Sequence, residues 1–180
     1  MIVQLLVLAL AAFAVPAAHA DTVPVKAAEL RIEDGEVLLN AEFVLAFNPT
    51  LEEALQKGIP LYIILEFELS RSRWYWRDEK VAETVLTSRV SYNALTRQYR
   101  VASGLLGQSY SSLEEVERYL GRVTSRPVAP ASAVAKGSRY EASIRLRLDV
   151  NQLPKPFQVD ALASREWTLA SDWYRWSFVP

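Results

Sequence analysis

The sequence predicts a mainly β fold, an antiparallel β-sandwich or curved sheet with two short helices. Three observations carry that prediction. Several segments alternate apolar and polar residues with a period of two, short turn motifs join them, and no strand–helix–strand alternation of the kind that builds parallel sheets is present. A chain of 180 residues with no internal repeat is expected to form one such domain.

The first segment is set apart from the rest. Ile2 to Val15 is an apolar run, followed by Pro16 and by Ala18-His19-Ala20, the small-x-small pattern that signal peptidase accepts. Residues 1–20 are therefore expected to be a signal peptide cleaved after Ala20, leaving residues 21–180 as a single β-rich domain in the periplasm. The pattern departs from the usual one in having no Lys or Arg ahead of the apolar run. The run is also shorter than the roughly 20 residues a membrane-spanning helix needs.

Along the remaining chain, Lys26 to Ile32 reads as a strand, Asp34-Gly35 as a hairpin turn, and Val37 to Phe47 as a second strand. In the latter, Val37, Leu39, Ala41, Phe43, Leu45 and Phe47 share one face. Thr50 and Glu53 fit a capping box for a two-turn helix through Leu51, Ala54 and Leu55 that Gly58 ends. Leu61 to Leu69 alternates again, with Leu61, Ile63, Leu65, Phe67 and Leu69 on one face. The following Arg71 to Arg77 reverses the parity, which a one-residue bulge near Ser70 to Ser72 would reconcile, as in a strand crossing between sheets.

Val81 to Tyr92 and the extended segment through Tyr99 and Val101 form a hairpin about Asn93-Ala94-Leu95-Thr96. Ser112 or Ser111 caps a second helix carrying Leu113, Val116 and Leu120, with Gly121 at its end. Arg126 to Gly137, rich in Pro and Ala, reads as an exposed loop. Arg139 to Val150 is the cleanest strand, with Tyr140, Ala142, Ile144, Leu146, Leu148 and Val150 inward and the charged residues facing water. Pro154-Lys155-Pro156 turns the chain into one or two final strands.

Composition narrows the chemistry. There is no cysteine, and the one histidine is His19, inside the expected signal peptide. The mature chain then has neither thiol nor imidazole, which excludes Cys- and His-dependent nucleophilic systems and His- or thiolate-bound metals. Twenty basic and 21 acidic residues give a net charge of -1, which favours neither nucleic acid nor an anionic membrane as a bulk partner. The six glycines are spread singly, so no phosphate-cradling loop is expected. Carboxylate acid/base chemistry, a Ser/Lys pair and an all-oxygen metal site remain open. Glu66 and Glu68 share a strand face, either as a carboxylate pair whose mutual repulsion shifts a pKa or, the preferred reading, as solvent-facing positions of an amphipathic strand. Glu114, Glu115 and Glu117 suit the start of a helix, where the macrodipole stabilises negative charge. Asp78, Glu79, Asp160, Glu166 and Asp172 are scattered candidates for an oxygen-ligand cation site. No catalytic residue, metal site or cofactor is assigned.

The segments Ser91-Tyr92-Asn93-Ala94-Leu95-Thr96-Arg97-Gln98-Tyr99-Arg100-Val101 and Leu153-Pro154-Lys155-Pro156-Phe157, with Trp167, Trp173 and Trp176, resemble a proteobacterial family of exported proteins known only as a domain of unknown function. The resemblance covers nearly all of the mature chain. Genes of that family often neighbour one for a membrane sensor histidine kinase of nitrogen-regulation type, so the resemblance implies a role in envelope signalling and transfers no catalytic residue.

A contact surface is read from two aromatic and arginine clusters. Arg71, Arg73, Trp74, Tyr75, Trp76 and Arg77 combine bidentate donors with large rings, the residue types that interfaces concentrate. Trp173, Tyr174, Arg175 and Trp176 place rings on both faces of a strand, which suits either a central strand or an exposed contact patch. The expected function is a non-enzymatic periplasmic interaction or sensory-accessory module. Its alternatives are a carrier of a small apolar or sugar-like ligand, which needs a cavity near 300 Å3 or larger, and a carboxylate-dependent hydrolase, which needs two acids within about 5 to 10 Å.

Overall fold

In the computed structural model, which describes residues 22–71 and 79–180, the first hairpin forms as its turn chemistry requires. Asp34 and Gly35 both adopt positive φ, 49° and 80°, the backbone that Asp-Gly tolerates and most pairs do not. They join β1 (Val25–Glu33) to β2 (Glu36–Phe43) in antiparallel register. The inward alternation predicted for Val37 to Phe47 holds along its whole length, although ladder pairing stops at Phe43. The Phe43 amide instead donates to the Gly121 carbonyl at 2.7 Å, and the Val44 amide to that of Pro24 at 2.8 Å.

Helix α1 (Pro49–Gln56) begins before the expected capping box. Asn48 is the cap, its side-chain oxygen accepting from the Leu51 amide at 3.0 Å, and Pro49 takes a first-turn position where its missing N–H costs nothing. Leu51, Ala54 and Leu55 are buried as expected.

β3 (Leu61–Arg71) and β4 (Glu79–Asn93) are antiparallel neighbours, and β3 also pairs with β8 (Tyr140–Leu148). The expected irregularity lies between Leu69 and Ser70, but the extra residue is Val81 on β4, because Leu69 opposes Ala82 and Ser70 opposes Lys80. β3 therefore stays in one sheet through Arg71 and does not cross between sheets within its described length. The expectations for Arg73 to Arg77, and for the signal peptide, lie outside the described residues.

The predicted hairpin from β4 to β5 (Gln98–Ser103) is present, its loop held by the Asn93 side chain, which accepts from the Leu95 amide at 3.0 Å. A further strand, β6 (Leu106–Tyr110), follows a tight turn at Gly104-Leu105 and pairs with β5. Ser112 caps α2 (Leu113–Leu120) and Gly121 ends it, as predicted. The segment read as an exposed loop from Arg126 is in part a strand: β7 (Arg122–Pro130) pairs with β2. Its prolines are tolerated because β7 is an edge strand, where one row of amides needs no partner.

Pro154-Lys155-Pro156 does not lead into a strand. It opens a third helix, α3 (Lys155–Ala163), with Pro156 in the first turn, so the count of two short helices rises to three. A single strand, β9 (Tyr174–Phe178), completes the chain and pairs with β8.

The result is a three-stranded sheet, β1-β2-β7, facing a six-stranded sheet, β6-β5-β4-β3-β8-β9, both wholly antiparallel. One apolar cluster joins the inner faces of β2, β3 and β8 with Leu51, Leu55, Val116 and Trp167. Among the described residues no helix is long and apolar enough to cross a membrane.

Candidate functional site

Six strands cannot be covered by three. Helix α1 packs against β4, and α2 packs against β5, β6 and β7, yet part of the inner face of the larger sheet is left without a lid. There the sheets part into an open cleft of about 1420 Å3. Its floor is Ile63, Leu65 and Leu146, and its walls include Leu86, Val101, Leu106, Tyr110, Tyr119 and Val123. Among the hydroxyls of this lining, those of Ser88 and Ser103 are directly opposed on β4 and β5 and 2.7 Å apart. The rings of Tyr110 and Tyr119 lie 5.4 Å apart, and burial followed by the neighbouring Tyr119 and Glu115 pushes the Tyr110 hydroxyl above its usual range.

The rim is cationic. Arg118 on α2 and Arg122 and Arg126 on β7 line the cleft and are exposed. Among the described residues no ion pair involves any of the three. The one carboxylate of the lining, Glu115, is satisfied within its own helix start. Its oxygen accepts from the Ser111 amide and hydroxyl, both at 2.9 Å, and these bonds, with a smaller contribution from Arg118, hold the carboxyl below its usual range.

Of the aromatic and arginine residues singled out in the sequence, Arg71, Trp173, Tyr174, Arg175 and Trp176 lie elsewhere. Arg71 ends β3 and donates through Nε and one terminal nitrogen to Glu79, at 3.1 and 2.6 Å. Trp173 is half-buried on the outer face of the large sheet, with the Arg145 guanidinium 4.6 Å above its ring. Arg175 is paired opposite Ser143 on that outer face and reaches Glu141 at 3.7 Å. Tyr174 and Trp176 take the other face, 5.8 Å apart, where Trp176 also meets Phe67 at 6.4 Å. The cluster Trp173 to Trp176 is thus divided between two faces. Strand β9, which holds Tyr174, Arg175 and Trp176, is at the edge of the sheet, not in its centre. Arg73, Trp74, Tyr75, Trp76 and Arg77 lie outside the described residues.

The outer face of the large sheet does not simply meet water. Glu66 sits between Arg145 and Arg147, which donate to its two oxygens, Arg145 Nε at 2.8 Å and Arg147 at 3.2 and 2.9 Å. Burial pushes the Glu66 carboxyl up, but the hydrogen bonds and charges of Arg147 and Arg145 together outweigh it and hold the group below its usual range. Glu68 turns instead to Lys80 at 3.8 Å. The two glutamates therefore do not act as a mutually repelling pair. A smaller hollow of about 570 Å3 on β4 and β5 has Arg89, Ser91, Arg100 and Ala102 in its lining. Among the described residues no group of three or more acidic or histidine side chains could hold a metal ion.

The cleft is not legible in the sequence, since its rim comes from two elements, one of which reads from Arg126 as a loop. The one local signal was Leu105-Leu106 beside Gly104, an apolar pair at a turn, and both leucines are exposed.

No curated protein and no solved structure matches this chain. A family model does, over residues 20–177, and by that match the protein belongs to the family described as Domain of unknown function (DUF4390).

Proposed function

We propose that the protein is an exported, non-enzymatic ligand-binding module of the bacterial envelope, which holds a small apolar-bodied molecule in the cleft between its sheets. The single observation that carries this reading is the cleft itself, whose volume of about 1420 Å3 exceeds what a drug-sized ligand requires. Its lining favours binding over hydrolysis. Glu115 is the one carboxylate there, whereas glycoside-type acid hydrolysis requires two. In this reading the membrane sensor kinase implied by the sequence resemblance is the receiver of the ligand-bound state, and residues 1–20 direct export.

The test is titration of the purified domain with the neutral dye Nile red, whose emission rises in apolar surroundings. Ser103→Trp places a large ring in the cleft and is expected to weaken dye binding at least tenfold. Leu106→Lys, at an exposed wall position that bears no core packing, is expected to weaken it as well. Wild-type protein that leaves the dye unbound, or variants that bind it as wild type does, would refute the cleft as the site. Intact-mass measurement of protein from the native envelope that finds the first twenty residues still attached would refute export.

A further inference from the structure

Arg126 occupies an orientation that a regular strand would not give it. Val123 lies opposite Ala41, an inward-facing position of β2, so an unbroken β7 would place Ser125 opposite Leu39 and turn Arg126 outward. Instead Arg126 is the residue opposite Leu39. One extra residue is accommodated at Thr124-Ser125, where Ser125 takes a φ of 46° and donates its amide to the Asn40 side chain at 2.8 Å. The bulge shifts the parity of Arg126 and Pro127 by one, until a second shift opposite Val37 and Leu38 restores it, and so brings a guanidinium onto the inner face, into the lining of the cleft.

Resting on the cleft reading above, we propose that the ligand is an amphiphile with an anionic head, a carboxylate or a phosphate, whose apolar body lies in the cleft and whose head is bound by Arg126 with Arg118 and Arg122. Charge complementarity commits the site to this class. Three arginines without ion-pair partners among the described residues face a lining whose one carboxylate is already satisfied by Ser111. Guanidinium is the side chain that meets carboxylate and phosphate oxygens bidentately. An inward charge on an edge strand also discourages edge pairing between molecules, but that role confers no preference between ligand heads.

The experiment compares dodecyl phosphate and dodecanoate with the neutral dodecanol as competitors of Nile red, on the whole domain. The expected result is that the two anions compete about tenfold or more better than dodecanol, and that Arg126→Gln removes most of this preference while leaving dodecanol unchanged. Arg89→Gln, an arginine on the other face of the large sheet, serves as the control for long-range charge and is expected to leave the preference intact. Whichever anion competes better identifies the head. Equal competition by anions and alcohol would overturn the head assignment while the cleft reading stood. An equal effect of R126Q and R89Q would overturn the role of Arg126, and failure of all three competitors and of the dye would overturn the cleft reading itself.

Discussion

Replacing Glu66 by Gln removes one charge and leaves the side chain's shape. In the wild type the Glu66 side chain is 17% exposed and the arginines on either side of it 31% and 30%. Breaking a fully buried pair costs about 3–5 kcal/mol, whereas an exposed pair contributes roughly 0–1 kcal/mol. A half-buried carboxylate shared by two guanidiniums falls between these limits, at about 2 kcal/mol. For a domain of this size that corresponds to a fall in Tm of roughly 4–8 °C. The dependence on pH adds a sign. Because the folded-state pKa of Glu66 lies below its ordinary value of 4.5, its contribution is fully present above that value and is lost as pH falls through the folded-state pKa. The gap between wild type and E66Q is therefore widest at pH 7 and closes in acid. Urea unfolding of both proteins at pH 7 and at steps below pH 4.5 measures it. A gap at pH 7 within about 0.5 kcal/mol, the range of an ordinary surface substitution, would refute the clamp, as would a gap that persists unchanged in acid.

Glu117 is expected to behave in the opposite sense. Burial pushes its carboxyl above the usual range, against the hydrogen bond it accepts from the Phe47 amide at 2.7 Å and with the neighbouring Glu114 and Glu52 adding to the rise. Folding is less favourable with this carboxyl charged than neutral, so E117Q, which still accepts from Phe47, should equal or exceed wild type in stability at pH 7, with the advantage fading as pH falls through the raised folded-state pKa and gone below the ordinary 4.5; matched denaturation curves check this. Gly121→Ala should destabilise by about 1–3 kcal/mol, because an added Cβ would lie 2.7 Å from the Phe43 carbonyl oxygen and 2.9 Å from that of Glu117, both of them backbone atoms with little freedom to yield. A midpoint in urea indistinguishable from wild type would contradict that close approach.

What the residues themselves determined were features that depend on near neighbours in the chain. The Asp34-Gly35 turn, the Ser112 cap, and the alternation of Leu61 to Leu69 and of Tyr140 to Leu148 are all present, because each is set by backbone preferences and side-chain period over a few positions. The failures cluster where a distant partner changed the outcome. Pro127 and Pro130 argue for a loop until β2 supplies an edge position that does not need their amides. Pro156 argues for a turn, yet α3 starts around it. The same helix sets Phe157 against the buried Trp167, with ring centres 5.7 Å apart.

For the candidate site the division is sharper. Sequence alone established that the chain has no cysteine, a single histidine and balanced charge, since those are counts. It could not show that Arg145 and Arg147 neutralise Glu66, which pairs residues 79 and 81 positions apart. Nor could it show that the smaller sheet is three strands short of covering the larger, or that one extra residue at Ser125 turns Arg126 inward. Alternation assigns each strand two faces, but which face meets a core, a clamp or an open cleft depends on what is packed against it. That is a property of pairing register and sheet size, which only the tertiary structure decides.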